Sequence, residues 1–391
     1  MTNAPIEPIT TAAALPTSEA PTKPDLQVLP DLFATADDVT ALRPIYLVAF
    51  EDLRPGTAAY GNTCAKLQRL ADRHGAKLVM APLSDGRLSR YLSAFRLAWQ
   101  CRRNGGIAYH RNFPFSPIAG LLSGTKHMVI ELNGPPTDAT TAYPQLAWLG
   151  GLYRRAYDLF LRQAPLIVTA TTGLADYART VAPRTQVVIA PAAAPEVPAD
   201  DVHTIEKNLR QVVYFGTFAP WQGAELLLDA VNDPAWPVDV ELVVIGDASK
   251  SEPGQTLAKH ERVRAVGRLP HRDTLALVAS SLASLSPKTY QLDAEVKTGL
   301  WPVKVIESLA VGTPVIATKI EDQLSFVQDS GGGVLIESSG AALAEAVAAL
   351  AADPDAAIAM GQTGQRHVDE KHSLDVRADF MVGYLRSVSS R

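Results

Sequence analysis

A lysine and a glutamate stand one helical turn apart in the stretch GLWPVKVIESLAVGTPVIAT, residues 299–318. We predict a loop, then a short helix that carries Lys304 and Glu307, and then a tight Gly-Thr-Pro turn into an apolar strand. Helix starts that follow strands collect unsatisfied N–H groups and the positive end of the helix dipole, so they bind anions, phosphates above all. A carboxylate one turn further on can accept hydrogen bonds from sugar hydroxyls. The stretch therefore predicts a site for a ligand that carries both a phosphate and sugar hydroxyls.

Glycines follow other predicted strands of the same half. The segment YFGTFAPWQGAELLLDA carries Gly216 at a strand end and Gly223 directly before a helix. Two further strand ends, VVIGD and VGRLP, carry Gly246 and Arg268. A glycine lets the backbone approach a diphosphate closely because no side chain intervenes. We therefore expect these strand ends to line the same site.

Apolar runs alternate with helical patterns along the chain, beginning with PIYLVAF at 44–50. This alternation predicts an α/β protein with doubly wound parallel sheets. The pattern restarts at QVVYFGTF, after a weakly patterned segment at 191–206. We therefore expect two Rossmann-like domains whose strand ends meet at one cleft.

The chain divides into four predicted segments. A tail rich in Pro, Ala and Thr, expected to be disordered, covers 1–39. The first domain covers 40–195, the second covers 207–372, and a final helical segment covers 373–391.

The composition is that of an ordinary globular protein, with 47% apolar and 20% charged residues among 391. It contains no apolar run long enough to span a membrane and no secretion signal at the start. Two cysteines are too few for a disulfide framework, and no His/Cys cluster has metal-ligand spacing. We therefore expect a cytoplasmic protein with no metal site. No G-x-G-x-x-G motif occurs, so a nicotinamide site is unsupported.

The net charge of −5 conceals an asymmetry between the two halves. Residues 40–190 carry a net +10, and residues 191–391 carry a net −10. A half this basic indicates an anionic partner, such as a membrane surface, a lipid phosphate or a nucleic acid, or else a solvated basic surface with no partner. No recognised nucleic-acid module or interleaving of aromatic and basic residues occurs, so we expect no nucleic acid and favour the inner face of a membrane.

These motifs resemble those of the GT-B glycosyltransferases of family 4, also called glycosyl transferases group 1. The stretch at 299–318 is similar to the family's donor-site signature P-x-K-x-x-E-(S/A/Y)-(L/M)-A-x-G-x-P-V-(I/V)-A, and 214–230 is similar to the opening of its donor domain. The resemblance covers about residues 40–388 and implies the GT-B fold. It also implies a nucleotide-diphospho-sugar as co-substrate, with no other cofactor.

The resemblance implies roles for single residues of the second half. Gly216, Lys304 and the backbone of Thr298 and Gly299 would hold the diphosphate, and Glu307 would hold the ribose. The backbone around Arg268 would contact the base, Gly246 would line the cleft, and Gly223 would precede the first helix of the donor domain.

In the first half, YHRNFPFSPIAGLLSGTKHMVIELNGPP resembles the family's acceptor-domain stretch. It places Arg111 and Glu131 at strand ends, and Asn133 where many relatives have a histidine; the turn at Asn133 and Gly134 would clamp the donor sugar. The loop with Gly56 and Thr57 would meet the acceptor and the donor phosphate. His110 and His127 are alternatives for an imidazole in the cleft.

The implied activity is a retaining, metal-independent transfer of a sugar to a glycan or a lipid-linked acceptor at the cytoplasmic membrane face. Asn133, Lys304 and Glu307 would be the catalytic residues. The chain departs from the family pattern at Thr217 and Gln222, where basic residues are common, and at Gly299, where a glutamate is usual. Two alternatives therefore stay open: a catalytically weak GT-B module that binds a sugar nucleotide or a partner enzyme, and a sugar-nucleotide epimerase.

Overall fold

The computed structural model describes residues 42–55, 57, 60–82, 86–134, 150–196, 205–289 and 302–390. Its strands form two six-stranded parallel sheets. The first sheet, in the order β2-β1-β3-β4-β5-β6, consists of β1 (Ile45–Val48), β2 (Leu78–Val79), β3 (Ile107–Arg111), β4 (Met128–Leu132), β5 (Leu166–Thr169) and β6 (Gln186–Ile189). The second, in the order β12-β11-β10-β7-β8-β9, consists of β7 (Asn208–Phe215), β8 (Glu241–Ile245), β9 (Val263–Gly267), β10 (Ser281–Ser286), β11 (Val315–Thr318) and β12 (Gly333–Ile336).

Helices connect the strands in each half. In the first half these are α1 (Ala65–His74), α2 (Arg87–Asn104), α3 (Ser116–Ser123), α4 (Gly150–Gln163) and α5 (Thr172–Val181). In the second half they are α6 (Ala224–Asn232), α7 (Glu252–Leu257), α8 (His271–Ala279), α9 (Val303–Ala310), α10 (Glu321–Ser330), α11 (Gly340–Ala352) and α12 (Pro354–His372), and the final helix is α13 (Leu374–Ser389). None of the described helices has the length and apolar content needed to cross a bilayer.

Both faces of the first sheet are buried, as β1 demonstrates. Ile45 and Leu47 belong to the core cluster that contains residues of α1 and α13. Tyr46 and Val48, which point to the opposite face, pack with residues of α2. A parallel sheet needs helices on both faces because its crossover connections place them there. The predicted α/β architecture of two doubly wound parallel sheets is confirmed.

The chain joins the two halves at two places that touch each other. The backbone N–H of Ala194, after β6, donates to the carbonyl of His372, at the end of α12, over 2.7 Å. The chain then turns at Ser373, whose side chain accepts from the N–H of Val376 and caps α13. From there α13 packs on α1, and Arg73 of α1 forms an ion pair with Asp379 at 2.9 Å.

Five elements are absent from the sequence-based expectation: α5, β6, α7, α10 and α12. Strand β6 lies at the edge of the first sheet and has only four residues, three of them partly exposed, so its apolar signal is weak. Helix α12 begins at the Asp353–Pro354 pair, where the Asp353 carboxylate accepts from the N–H of Ala356. That pair starts the helix, because proline suits the first turn of a helix.

Candidate functional site

Two glycines bring the loops after β7 and β8 into contact. Gly216 has a φ of 135° and Gly246 a φ of 143°, backbone conformations that other residues rarely adopt. A Cβ on Gly246 would collide with the carbonyl of Gly216. A Cβ on Gly216 would lie 3.3 Å from Cε of Lys304. The glycines therefore allow the lysine of α9 to lie against the carboxyl end of the central strand.

The ammonium group of Lys304 is held in the second half by an aromatic ring and an amide. Its Nζ lies 4.0 Å from the centre of the Tyr214 ring, at the end of β7. It also donates to Oε1 of Gln222 over 3.2 Å. Burial and, to a lesser extent, the positive charge of Lys288 lower the pKa of Lys304 to about 7, against the opposing effect of Glu307. A lysine with a lowered pKa gains a full charge when an anion binds beside it.

Lys288 is a residue of this site that the sequence reasoning did not single out. It lies just beyond the carboxyl end of β10 and is 7% exposed. Its charge is close enough to Lys304 to lower the pKa of that lysine. A lysine directly after a buried strand, in LSPK, was the available signal. Lys288 therefore brings a second positive charge close to Lys304, although Thr217 and Gln222 are not basic.

Glu307 lies one turn after Lys304 on α9, and its carboxylate already has a partner. Oε1 of Glu307 is 2.9 Å from Nε2 of His271, the first residue of α8. The hydrogen bond to Glu307 raises the pKa of His271, burial opposes the shift, and the negative charge of Glu307 adds to it. The sequence reasoning missed His271, which directly follows the VGRLP motif.

Gly223 and Arg268 have local contacts of their own. Gly223, with a φ of 77°, packs so closely on the carbonyl of Pro287 that a Cβ would overlap it. The guanidinium group of Arg268 is exposed and lies 3.4 Å from the carboxylate of Asp247, in the loop after β8. Thr298 and Gly299 lie outside the described residues.

A buried polar cluster lies at the carboxyl ends of β3 and β4 in the first half. Glu131 of β4, 3% exposed, accepts hydrogen bonds from Thr63 and from Tyr109, each over 2.6 Å. The ammonium of Lys66, on α1, lies 4.0 Å from the same carboxylate. Burial disfavours the charged form of Glu131, but Lys66, Arg111 and the hydrogen bonds from Thr63 and Tyr109 together outweigh it, so the net shift of its pKa is downward. The cluster therefore keeps Glu131 ionised.

Arg111 and Asn133 join this cluster. Arg111 faces Glu131 in the sheet register, pairs with Glu51 and donates to the Thr63 hydroxyl over 2.7 Å. The amide of Asn133 satisfies both neighbours when its nitrogen donates to Glu131 over 3.1 Å and its oxygen accepts from Arg111 over 2.8 Å. The structure thus brings Arg111, Glu131 and Asn133 together, and their charged groups are largely occupied by one another.

The remaining acceptor-side residues contact their own loops. Thr57 donates its hydroxyl hydrogen to the carbonyls of Asp52 and Arg54, which stabilises the turn after β1. The carbonyl of Gly134 accepts from the side chain of Asn112 over 3.3 Å. Gly56 lies outside the described residues.

Of the two histidine alternatives, His110 is wrong as a group open to the cleft. It is fully buried on β3, contacts Ser123 over 2.9 Å and packs on the Phe160 ring. Burial lowers the pKa of His110 to about 3, so this imidazole is a neutral core residue. His127 contacts the carbonyl of Val388 near the chain end over 3.0 Å. Within the described ranges, no group of three or more His, Cys, Asp or Glu residues could hold a metal ion.

The second half of the chain matches a known protein family. Residues 210–353 match the model of the family "Glycosyl transferases group 1". A curated protein, D-inositol 3-phosphate glycosyltransferase of Segniliparus rotundus, is 28% identical over 190 residues. That match covers 47% of this chain and 41% of the relative, so it spans less than half of the relative's length. The motif at 214–230 lies inside the matched region, as do Lys304 and Glu307.

Solved structures with the same fold cover nearly all of the chain. Sucrose-phosphate synthase from Thermosynechococcus elongatus is 18% identical and superposes over 89% of this chain and 99% of its own, with a TM-score of 0.68. HepE from Anabaena, in complex with UDP-glucose, is 16% identical over 88% of this chain and 100% of its own, with a TM-score of 0.60. WaaG, a glycosyltransferase involved in lipopolysaccharide biosynthesis, is 14% identical over 87% of this chain and 100% of its own, with a TM-score of 0.57. The predicted resemblance is confirmed: the chain has the GT-B fold of glycosyltransferases, and its residues 210–353 match the model of the glycosyl transferases group 1 family.

Proposed function

We propose that this chain is a retaining, metal-independent glycosyltransferase that moves a sugar from a nucleotide-diphospho-sugar to a glycan or a lipid-linked acceptor. The observation that carries the proposal is the position of Lys304 and Glu307. Both lie on one short helix at the carboxyl end of the second sheet, with Lys288 nearby. Ligands of open α/β sheets bind at the carboxyl ends of the strands.

Lys304 and Lys288 suit a diphosphate because its negative charges would match two buried lysines that lie close together. The diphosphate would lie against the Gly216 loop, where no side chain blocks the backbone. The first N–H groups of α9 would add hydrogen bonds and the positive end of the helix dipole. Lys288 therefore compensates for the non-basic residues at 217 and 222.

Glycosyl transfer places negative charge on the leaving phosphate as the sugar–oxygen bond breaks. Fixed cations aimed at that phosphate stabilise the transition state more than the ground state. In the proposed retaining reaction, the leaving phosphate takes the proton of the incoming hydroxyl, and the new bond forms on the face that the phosphate leaves. Lys304 would then hold the phosphate, and Glu307 would hold the ribose hydroxyls after it exchanges His271 for them.

The acceptor would bind to the first half, above the cluster of Arg111, Glu131 and Asn133. Because Arg111 and Glu131 are buried and paired, we assign them to positioning Asn133 and the adjoining Gly134 turn. The net charge of +10 over residues 40–190 supports an acceptor at an anionic membrane surface. We propose that this surface is the cytoplasmic face of the membrane.

Thermal unfolding with UDP, GDP, ADP and TDP tests the donor site. UDP is the first choice because the structurally similar HepE is seen with UDP-glucose. A nucleotide at about 100 times its Kd stabilises the folded state by about 2.7 kcal/mol, which shifts the melting temperature by a few degrees. If only one of the four nucleotides shifts the melting temperature, that nucleotide identifies the donor base.

Two variants separate an enzyme from a binding module. Lys304→Ala and Glu307→Ala should each remove most of the turnover, by about a hundredfold or more for Lys304. Lys259→Ala, a change at an exposed lysine of the second half, serves as the control. A chain that binds a nucleotide without any turnover of its sugar ester favours the catalytically weak module. No shift with any nucleotide rejects the proposed donor site.

A further inference from the structure

Large apolar side chains are concentrated on one outer face of the first half. In the part of the chain that the structure describes, ten such side chains are exposed, and nine of them lie on α2, α3 and α4 or at the start of α3. We call this face the α2–α3–α4 surface. Its exposed apolar residues are Leu88, Leu92, Trp99, Phe115, Ile118, Leu121, Leu122, Leu152 and Leu159.

The residues share a face because of their helical spacing. Leu88, Leu92 and Trp99 lie on the side of α2 opposite to the buried Leu97 and Cys101. Leu88, Leu92 and Trp99 have the spacing of a helix side that packs on a core. Leu88 is nevertheless 72% exposed. An apolar stripe that faces water is costly for an isolated chain, so a face of this kind marks an interaction site.

The three helices lie side by side. Helix α3 packs between α2 and α4. Its Gly120 lies so close to the Phe160 ring of α4 that a Cβ would collide with the ring. The guanidinium group of Arg102, on α2, donates to the carbonyl of Leu121 on α3 over 3.4 Å. The exposed side chains therefore form one rigid surface and not three separate patches.

The charge of this surface is one-sided. Helices α2 and α3 contain no aspartate or glutamate. The single acid of α4, Asp158, accepts a hydrogen bond from Tyr177 of α5 over 3.2 Å. Exposed basic residues lie on α2 and α4 and directly after α3; they are Arg87, Arg96, Arg102, Arg103, Lys126, Arg154, Arg155 and Arg162. The guanidinium group of Arg103 stacks on the Trp99 ring at 4.6 Å.

We propose that the α2–α3–α4 surface docks the protein on an anionic lipid bilayer, with its leucine and tryptophan side chains inserted and its arginines at the phosphates. Apolar insertion and attraction to anionic headgroups act together at such interfaces. A second copy of the chain that docks with the same face fits less well, because the two basic faces would repel each other. Nucleic acid fits less well too, because aliphatic side chains dominate and bases need aromatic rings for stacking.

This inference deepens the proposed function and rests on it in one respect: a lipid-linked acceptor would lie in the bilayer on which the first half docks. Docking itself does not use the donor site. Vesicle binding without nucleotide therefore reports the surface alone, and nucleotide-induced thermal shifts without vesicles report the donor site alone. The failure of one does not imply the failure of the other.

Co-sedimentation of the full chain with lipid vesicles tests the surface. The vesicles contain phosphatidylcholine alone or phosphatidylcholine with phosphatidylglycerol, at low and high salt. The apolar variant is Leu92→Asn with Leu121→Asn, and the charge variant is Arg96→Gln with Arg103→Gln. We expect the wild type to prefer the anionic vesicles, and each double variant to bind them about tenfold more weakly.

The matched control is Val238→Asn, which replaces the one large exposed apolar residue among the described residues of the second half, 85% exposed. It should bind as the wild type does. All the substituted side chains are exposed, so the melting temperatures should agree within a few degrees. No preference of the wild type for anionic vesicles overturns the proposal. Unchanged vesicle binding by the apolar variant also overturns it. A wild type that is dimeric in solution, together with an apolar variant that is monomeric, would overturn it too.

Discussion

Nε2 of His271 lies 2.9 Å from Oε1 of Glu307, so the carboxylate proposed to hold the donor ribose is already paired with an imidazole. His271 lies on α8 and Glu307 on α9, and both helices start at the carboxyl edge of the second sheet. A ribose that binds Glu307 must therefore share or displace His271. The strength of the His271–Glu307 pair should therefore affect the affinity for the donor.

Donor affinity should depend on the protonation of His271. Its pKa is raised above 6.5 by Glu307, so the ion pair is complete below pH 6.5 and is lost as the pH rises through the raised pKa. Because Lys304 gains charge over the same pH range, the effect of His271 appears as a difference between variants. We expect the affinity of the wild type for a nucleotide-diphospho-sugar, relative to that of His271→Gln, to fall about threefold or more between about pH 8 and about pH 6, because protonated His271 competes for Glu307. Calorimetry over this range measures the affinity. A ratio of the two affinities that does not change with pH would contradict the explanation.

Donor binding should take up a proton at Lys304. The pKa of this lysine is about 7 in the free protein, so it is largely neutral at about pH 8. A diphosphate beside it favours the ammonium form, and the complex should bind up to one more proton than the separate components. Titration calorimetry in two buffers of different ionisation enthalpy measures the uptake.

Lys304→Arg is the matched variant for that measurement. Arginine stays protonated, so binding should continue with little or no proton uptake. Uptake of the same size in Lys304→Arg would show that another group titrates. In the free wild-type protein, the cost of a charged Lys304 is present below about pH 7 and declines as the pH rises towards 10.5, so this group alone makes stability increase over that range.

Removal of the buried charge at Glu131 should destabilise the first half strongly. Glu131→Gln keeps the shape of the side chain but leaves Lys66 and Arg111 without their shared anion. We expect a loss of about 3 kcal/mol in the free energy of unfolding, measured by urea denaturation. Glu337→Gln is the control, because Glu337 is 75% exposed and pairs with Lys319 at the surface, and it should cost less than about 1 kcal/mol. Equal losses in the two variants would contradict the role of burial.

The contact between the Gly216 and Gly246 loops should not tolerate a side chain. Gly246→Ala adds backbone strain and a collision with the Gly216 carbonyl, which we expect to cost about 3 kcal/mol or more. Gly75→Ala, at the end of α1, adds strain at a φ of 64° with no atom within 4 Å, and should cost about 1 kcal/mol. Thermal unfolding compares the two variants. Similar losses would mean that the close approach of the loops contributes nothing.

The alternation of strands and helices made the two-sheet architecture predictable, because each strand and helix signal is local. The carboxyl ends of parallel strands also meet at one edge, so Gly216 and Gly246 could be assigned to one place before the structure was known. Edge strand β6 escaped prediction, because a half-exposed strand of four residues has little apolar signal. The partners within each site could not be predicted, since they come from distant parts of the chain.

The sequence by itself determined the fold class, the family resemblance and the helix that carries Lys304 and Glu307. Only the tertiary structure decided that His271 pairs with Glu307, and that Lys288 adds its charge to the site near Lys304. It also decided that Leu88, Leu92 and Trp99 face outward. The physical reason is that periodicity places residues on one face of a helix, whereas packing against the rest of the chain decides whether that face meets the core or the solvent.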